Sequence, residues 1–447
     1  MKKYFFLIGI VLLTANSFSQ KKLTLDESIQ IALQRNSQLI QTQNSLEANK
    51  SNIKSAYGDL LPNFGASSSW GWSKITDKGS IQTDFFGVER RIPASETDTR
   101  NWLVSVGGGV TLFNGLANYA SISKAENNYD AARYDILKLK QDIVLATAKL
   151  YYDVLEAESF KKFRQDNLKS LQKSLEQIQE RYKLGAVAIA DVYSQQFRVG
   201  TAELDLITTE NQVDLAKNNL LNYLALDVLE DYEFVSPAEV SEFESEMDIK
   251  DFSEISSLVA EALDLRLDYK SKLLGLESAK NDITISRSGL FPRLSGSYSF
   301  SSGSTHPADL LDRNTYRIGL SLNIPIFDNW NTENSIQFSE INLMNKEEDL
   351  KVKERSIKIE VKQGYLNLVA GKKSYEVAAK NVQSAEENRR INYERYNLGS
   401  STIIEVLQSD SDYTKALTDR IRAEYEYYRL RDNMLNVLGK LDFKKYE

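Results

Sequence analysis

The feature that most constrains this sequence is an internal duplication across nearly the whole chain of 447 residues. Residues 181–185, RYKLG, recur 214 positions later at 395–399 as RYNLG. Further upstream the shift is 230 positions, so that the Pro of 61–62 matches the Pro of 291–292. The first copy therefore contains about 16 additional residues after its Pro. Two copies of this length are too few and too long for a solenoid, so we expect two equivalent halves within one chain.

The composition argues against several kinds of active site. There is no Cys and one His, His306, so thiolate chemistry, a multi-His metal centre and a Ser-His-Asp triad are not expected. The formal net charge of -8 disfavours nucleic acid, which binds clustered Lys and Arg. We expect no cofactor, no metal and no enzymatic activity, but a scaffold, channel or binding protein.

The first residues have the layout of an export signal. Residues 1–19 begin with two lysines, continue with an apolar run and end in small residues before Gln20. No later stretch has the apolar length of a transmembrane helix. The predicted organisation is given by five segments: signal 1–19, first repeat 20–226, acidic linker 227–253, second repeat 254–441 and C-terminal tail 442–447.

Each copy is predicted to contain one very long helix. The first runs from about 118 to 184 and the second from about 332 to 398, and a returning helix follows each Leu-Gly turn. Residues 118–184 contain neither Pro nor Gly, and their apolar positions alternate in steps of three and four, which is typical of a coiled coil. At 1.5 Å per residue such a helix is about 100 Å long, so it must pack against other helices along its length. A shorter helical segment precedes the Pro of each copy, over about 25–58 and 254–288.

Four segments alternate between apolar and polar residues, two in each copy. They cover about 64–73, 102–112, 294–301 and 316–324, and their polar positions are mostly Ser and Gly. A soluble sandwich with one buried face would alternate in the same way. The nearly uncharged polar face favours strands with lipid on one side and water on the other. Four aromatic residues are predicted to lie at the membrane interface: Trp70, Trp72, Trp102 and Tyr316.

Four strands cannot stand alone in a membrane. An open sheet edge exposes unpaired backbone groups to lipid, which offers them no hydrogen-bond partner. We therefore expect the strands to close into a ring with strands from other chains, so that the protein is an oligomer.

The combination of signal, duplication and motifs resembles the TolC-like outer membrane efflux proteins. The resemblance covers about residues 23–441. It depends on the order of several short matches: Leu25-Asp26-Glu27-Ser28, Leu61-Pro62-Asn63-Phe64 with Phe291-Pro292-Arg293-Leu294, Leu112-Phe113-Asn114-Gly115 with Pro325-Ile326-Phe327-Asp328, and the two Leu-Gly turns. The absence of a Cys after the signal departs from the lipid-anchored branch of that family.

The resemblance implies a mainly α fold with a membrane β-barrel portion. Three chains of a homotrimer would each give four strands to a 12-stranded barrel in the cell outer membrane. The duplicated long coiled-coil helices would form a periplasmic α-barrel. Such a protein is a passive exit duct of a tripartite efflux or type I secretion system. It would dock with a periplasmic adaptor (membrane fusion) protein and an inner-membrane transporter of RND, ABC or MFS type.

The two Leu-Gly turns are the predicted periplasmic tip. The residues expected to contact the adaptor are Arg181, Leu184, Gly185, Arg395, Leu398 and Gly399. A gate or pore constriction is implied by the resemblance at Glu405, Gln408, Asp191 and Tyr396, with Tyr396 directed towards Asp191. A ring of three Glu405 carboxylates would narrow the pore and favour cations. A carboxylate early in a helix is also stabilising by itself, whatever else it does.

Other functions remain open at this point. A periplasmic or surface coiled-coil structural or adaptor protein without a channel would explain the long helices but not the four alternating strands. A trimeric adhesin would concentrate its strands at one end of the chain, and an enzyme would need paired carboxylates in a pocket. The exported compound is not evident from the sequence.

Overall fold

The computed structural model describes residues 21–235 and 255–446. The predicted signal and most of the predicted acidic linker therefore lie outside the described residues. The chain divides into two compact units. The helical unit contains the described parts of 1–41, 137–266 and 355–447, and the sheet unit contains 42–136 and 267–354. Each unit draws on both copies of the duplication.

The helices follow the duplicated plan. The helices of the first copy are α1 (Leu25–Arg35), α2 (Ser37–Gly58), α3 (Ala117–Lys183) and α4 (Ile189–Tyr223). Those of the second copy are α5 (Ile255–Leu265), α6 (Leu267–Arg287), α7 (Asn331–Asn397) and α8 (Ile403–Val437). The long helices α3 and α7 have 67 residues each, and the returning helices α4 and α8 have 35 each, as the repeat predicts.

The short helical segment of each copy is not one helix, as predicted, but two. Asn36 has an extended backbone (ψ 116°), and its N–H donates to the Ala32 carbonyl at 2.9 Å. Its side-chain oxygen accepts from the Leu39 N–H at 3.0 Å, so it ends α1 and begins α2. In the second copy Arg266 separates α5 from α6 at the matching position. Asn36 is a residue type that favours helix starts, but Arg266 at the matching break carries no such signal.

The strands form three small sheets among the described residues. The strands are β1 (Lys21–Leu23), β2 (Gly65–Asp77), β3 (Ser80–Thr83), β4 (Glu89–Ile92), β5 (Ser95–Asn114), β6 (Tyr232–Phe234), β7 (Arg293–Ser304) and β8 (Asn314–Asn323). The four predicted strands correspond to β2, β5, β7 and β8, which form one antiparallel sheet in the order β2-β5-β7-β8.

The register of this sheet sorts its side chains onto two faces. Val106 pairs with Ala66 on one side and with Phe300 on the other, and Phe300 pairs with Tyr316. The neighbouring row joins Ser67, Ser105, Ser301 and Thr315, and the Ser67 and Ser105 hydroxyls are 2.8 Å apart. The apolar positions of all four strands therefore share one face, and Ser and Gly predominate on the other, as the alternation predicts.

The additional residues of the first copy contain a hairpin that sequence analysis did not predict. Strands β3 and β4 pair with each other, and the side chain of Asp84 holds the turn between them by accepting from the N–H groups of Phe86 and Val88. Phe85 and Phe86 are 98% and 86% exposed at this turn.

A buried tyrosine organises the helical unit. Tyr151 on α3 is fully buried, and its hydroxyl lies 2.8 Å from the Leu23 carbonyl and 2.6 Å from the Val235 carbonyl. Leu23 is the last residue of β1, and Val235 directly follows β6, its parallel partner. Burial raises the pKa of Tyr151, so the hydroxyl stays protonated. Within residues 21–235 and 255–446, no helix has the length and apolarity needed to cross a membrane.

Candidate functional site

The two Leu-Gly turns are built in the same way. In the first, Gly185 has φ +71°, its N–H donates to the Tyr182 carbonyl at 2.9 Å, and the Ala186 N–H donates to the Arg181 carbonyl at 2.9 Å. This pair of bonds is the Schellman motif, which satisfies the last carbonyls of a helix. The left-handed backbone explains the glycine, since a Cβ at Gly185 would meet no other atom within 4 Å.

The second turn repeats the motif at the end of α7. Gly399 has φ +75°, its N–H donates to the Tyr396 carbonyl at 3.0 Å, and the Ser400 N–H donates to the Arg395 carbonyl at 2.9 Å. The leucine before each glycine, Leu184 or Leu398, is 83% exposed. Each turn therefore exposes one apolar side chain that is not covered by the two helices it joins.

The structure brings the two turns together within the helical unit. The Arg181 Nη2 donates to the Asn397 side-chain oxygen at 3.0 Å. The guanidinium of Arg181 also lies over the ring of Tyr396, 5.6 Å from its centroid. Arg181, predicted as a contact residue, therefore partners Tyr396, predicted as a gate residue.

Tyr396 occupies an unusual environment for a hydroxyl. Its oxygen is buried and makes no hydrogen bond to any atom of the described residues. Burial raises the pKa of Tyr396, the negative charge of Asp191 raises it further, and Arg181 opposes both. Asp191 thus acts on Tyr396 through its charge, without the hydrogen bond that a closed lock between them would need.

A cavity of about 500 Å³ adjoins this tyrosine. It lies among α3, α4, α7 and α8, and Arg181, Gln195, Tyr393, Tyr396 and Val406 contribute to its lining. The cavity is open to solvent and mixes polar with apolar walls. It belongs to the same turn region as the predicted contact and gate residues.

Glu405 lies in the first turn of α8 with three partners. Its N–H donates to the Thr402 side-chain oxygen at 3.4 Å, which caps the helix. Its carboxylate accepts from the Ser401 hydroxyl at 2.5 Å and lies 3.6 Å from Arg395 Nη1. The side chain remains exposed, so it can respond to ions in solution.

The other two predicted gate residues differ from Glu405. Asp191 occupies the first turn of α4, whose N-cap residue, Ala188, makes no side-chain cap hydrogen bond. Gln408 is exposed and donates to Asp412 at 3.0 Å on its own helix. Unlike Asp191 and Gln408, Glu405 lies next to a predicted tip residue of opposite charge, Arg395.

Sequence analysis missed a buried charge cluster next to this site. Asp410 on α8 is 8% exposed and accepts from Arg389 Nε at 2.6 Å and from the Tyr393 hydroxyl at 2.9 Å. Arg198 Nη1 lies 3.5 Å from the same carboxylate, and its Nη2 donates to the Leu407 carbonyl at 2.6 Å. Burial raises the pKa of Tyr393, and the Asp410 charge adds to that shift.

The Asp410 cluster joins four helices. Arg198 lies on α4 and Arg389 on α7, and Arg389 Nη2 also donates to Ser170 on α3 at 3.2 Å. A possible signal in the sequence was the position of Asp410, which falls on the apolar side of α8 with buried Val406. Tyr393, Arg389 and Arg198 are 17, 21 and 212 residues away from it, so no local motif identifies them.

The predicted interface aromatics lie on the sheet unit. Trp70 faces Trp102 directly across β2 and β5, with ring centroids 6.0 Å apart. Trp72 Nε1 donates to Asp98 at 2.6 Å, and Tyr316 packs on Phe300 at 5.1 Å. Trp70, Trp72 and Tyr316 are 57%, 54% and 75% exposed, as lipid-facing or partner-facing residues would be in an isolated chain.

Comparisons with known proteins agree with this architecture. A family model described as outer membrane efflux protein matches residues 28–226 and 258–440, one match in each copy. The outer membrane protein TolC of Escherichia coli (strain K12) is 23% identical over 453 residues, covering 98% of this chain and 86% of TolC. Among solved structures, CusC superposes with a TM-score of 0.81 at 15% identity, covering 93% of this chain and 92% of CusC. The outer membrane protein VceC of Vibrio cholerae superposes with a TM-score of 0.77 at 16% identity, covering 93% and 96%.

The fold is that of bacterial outer membrane channel proteins, with long paired helices and a four-stranded sheet in each chain. The chain belongs to the outer membrane efflux protein family. The predicted family, fold class and outer membrane location are thereby confirmed.

Proposed function

We propose that the chain is one protomer of a homotrimeric channel-tunnel, the passive exit duct of a tripartite efflux or type I secretion system. The observation that supports this proposal is the four-stranded sheet β2-β5-β7-β8 of the sheet unit. One face is apolar, the other is mostly Ser and Gly, and β2 and β8 are its outer strands. Pairing of β8 with β2 of the next copy closes the ring, and three copies give twelve strands.

Exposed apolar stripes on the helices support the same assembly. On α7, Val352, Ile359 and Leu366 follow one another at intervals of seven and are 54%, 64% and 53% exposed. On α4, Phe197 and Leu204 are 77% and 66% exposed at the same interval. A heptad stripe of this kind packs against partner helices, and the neighbouring copies of a trimer would supply them.

The turn region is proposed to be the periplasmic tip. Exposed Leu184 and Leu398, held by the Gly185 and Gly399 caps, offer apolar contacts to an adaptor protein. Arg181 and Arg395 lie in the last turns of α3 and α7 and add positive charge beside them. An inner-membrane transporter of RND, ABC or MFS type would supply the energy, since a channel of this kind is passive.

The proposed gate combines Glu405, Gln408, Asp191 and Tyr396. Three exposed Glu405 carboxylates in a trimer would form a ring that attracts cations. The 3.6 Å contact with Arg395 moderates this charge. Arg181 on α3 and Tyr396 on α7 would hold the helix pair α3–α4 next to the helix pair α7–α8 in one protomer.

The test of the gate is single-channel conductance in planar bilayers with a blocking divalent cation. Coulomb attraction in water is about 1 kcal/mol between two unit charges near contact, and about twice that for a divalent cation, so Glu405→Gln should weaken the block by at least about tenfold. Glu387→Gln is the matched control, because Glu387 pairs with Arg390 on α7 and lies outside the turn. Equal block in all three proteins would remove Glu405 from the pore.

The test of the assembly is membrane fractionation followed by electrophoresis of heated and unheated samples. The proposal expects an outer membrane protein that migrates as a trimer until it is heated. A monomer in the soluble fraction would instead support the alternative, a coiled-coil structural or adaptor protein without a channel.

A further inference from the structure

The polar face of the four-stranded sheet carries little charge, and most of that charge is positive. Its rows run across the strands, for example from Ser105 on β5 to Ser301 on β7. Ser, Thr, Asn and Gly predominate on these rows in all four strands. The charged exceptions are Arg293 on β7, Arg317 on β8 and Asp77, the last residue of β2. The chain as a whole has more acid than base, so two arginines on this face depart from its composition.

Arg317 lies within β8 among small neighbours. It pairs with Ser299 on β7, and Ser299 pairs with Gly107 on β5. Thr315 and Gly319 stand two positions before and after it, on the same face of the strand. The side chain is exposed, and its guanidinium makes no hydrogen bond or ion pair with the described residues. Its charge is therefore not neutralised within the described part of the chain.

Arg293 is the second unpaired arginine of this face. It is the first residue of β7 and pairs with Asn114 on one side and with Asn323 on the other. Its side chain is exposed, and its guanidinium also lacks a hydrogen bond or ion pair to the described residues. Arg293 lies six residues before Ser299, the partner of Arg317, so the two arginines stand at levels about 20 Å apart along the strand.

Closure of the barrel brings small polar residues to the open edge of β8. In the proposed trimer, β8 pairs with β2 of the next copy. The polar row of β2 reads Gly65, Ser67, Ser69, Gly71 and Ser73, and Asp77 follows at the end of the strand. Residues 65–73 therefore add hydroxyl groups to this row but no carboxylate. Three chains would place three copies of each arginine around one water-filled lumen.

Unpaired arginines on the wall of a pore favour anions. A guanidinium carries a permanent positive charge and presents its N–H donors in a planar fork that matches a carboxylate or phosphate. The hydroxyl of Ser299, next to Arg317, can donate to the same anion. Rings of Arg or Lys select anions in other pores, and substitutions that face the lumen of a membrane barrel change its selectivity.

We propose that the barrel lumen binds anions at two levels, Arg317 and Arg293, and that compounds with carboxylate, phosphate or sulfonate groups bind there during export. This inference rests on the proposed channel and names a class of solute for it. The duct then has two sites of opposite sign, because the proposed Glu405 ring attracts cations and the arginines attract anions. A compound with both charges finds a favourable partner at each site.

Block of single-channel conductance by citrate, measured with the full chain in planar bilayers, tests this inference. Citrate carries three negative charges, so Arg293→Gln together with Arg317→Gln should weaken the block by about tenfold or more. Arg293→Lys together with Arg317→Lys keeps the charges and should keep most of the block. Arg100→Gln is the matched control, because Arg100 pairs with Trp72 and lies on the opposite face of the sheet. Equal citrate block in the unmodified chain and the double Gln variant would overturn the proposal.

A cysteine variant tests the position of Arg317 even if the double variant does not insert. The chain has no Cys, so Arg317→Cys provides a single reactive thiol. With a cationic methanethiosulfonate, the thiolate displaces methanesulfinate and forms a mixed disulfide, which returns a positive charge to this position. We expect this reaction to raise the citrate block of the Arg317→Cys variant towards that of the unmodified chain. Failure of the open channel to react, or a reaction that leaves the block unchanged, would contradict the proposal.

The cation block at Glu405 separates this inference from the proposed channel. The double Gln variant is expected to retain the block by a divalent cation, since its carboxylates are unchanged. If the unmodified chain conducts but citrate blocks it no better than the double Gln variant, the channel stands and the anion site fails. If the unmodified chain inserts and opens no conductance, the channel itself fails.

Discussion

The two copies of the duplication build the same turn from nearly the same residues, but only the second reinforces it with buried charge. Asp410 on α8 is buried between Arg198 and Arg389, whereas Gln196, its equivalent on α4, is exposed. The duplication therefore preserves the backbone without preserving the interactions. In a trimer, six similar turns would alternate between two kinds, and only one kind would carry the charge cluster.

The ends of the returning helices show the same contrast. Thr402 caps α8 with its side chain, but Ala188 gives α4 no such cap. Gly439 ends α8 at φ +75°, whereas Ala225 takes φ +51° at the end of α4. At each of these positions the second copy has the residue better suited to the backbone. We expect α8 to be held more firmly than α4.

The largest expected effect comes from the Asp410 cluster. Removing one partner of a buried ion pair leaves an unpaired charge, so Asp410→Ala should lower the free energy of unfolding by on the order of 3 kcal/mol. Gln196→Ala, the same truncation in the first copy, should change it by less than about 0.5 kcal/mol. Urea unfolding of the purified chain in detergent, followed by helical circular dichroism, measures both. Equal losses would mean that the two turns are held alike.

A smaller effect is expected where the returning helices end. The Cβ added by Gly439→Ala would lie 3.2 Å from the Arg266 backbone nitrogen in a left-handed backbone, at a cost of about 1 to 2 kcal/mol. Ala225→Gly should relieve the matching strain and stabilise the chain by up to about 1 kcal/mol. The same urea titration applies, and a destabilised Ala225→Gly variant would show that its side chain matters more than its backbone.

Much of the sheet could be predicted from the sequence because each strand carries its own local pattern. Val106, Phe300 and Tyr316 occupy apolar positions of three strands that were predicted separately, and the register places them in one row. The long helices were predicted for a similar reason, since residues 118–184 contain no helix breaker. Strict alternation of apolar and polar residues identifies a strand with one apolar face, and apolar residues in steps of three and four identify a packed helix, so both elements can be recognised from local sequence.

The missed features depend on partners that are distant in the sequence. Asp410 gives no sign by itself that Arg198 approaches it. Ser401 gives no sign in the sequence that it takes part in the turn, yet its hydroxyl donates to Glu405. The backbone of Trp330 is left-handed, which is unexpected for a bulky residue. The connection from β8 to α7 imposes this conformation, and the local sequence does not predict it.

The smallest expected effect concerns the helix caps. Thr402→Ala removes a side-chain acceptor from the Glu405 N–H, and because that bond is 3.4 Å long the loss should be at most about 1 kcal/mol. Ala188 already has the extended backbone of a cap residue, with φ -78° and ψ 152°, so Ala188→Thr should add a cap and about 0.5 kcal/mol. Hydrogen exchange of the first-turn amides measures each change where it occurs. If the caps set the difference between the copies, the two variants together should reverse the order of protection of α4 and α8. An unchanged order would assign the difference to the Asp410 cluster, which lies about two turns after Thr402 and would then hold the start of α8 without help from its cap.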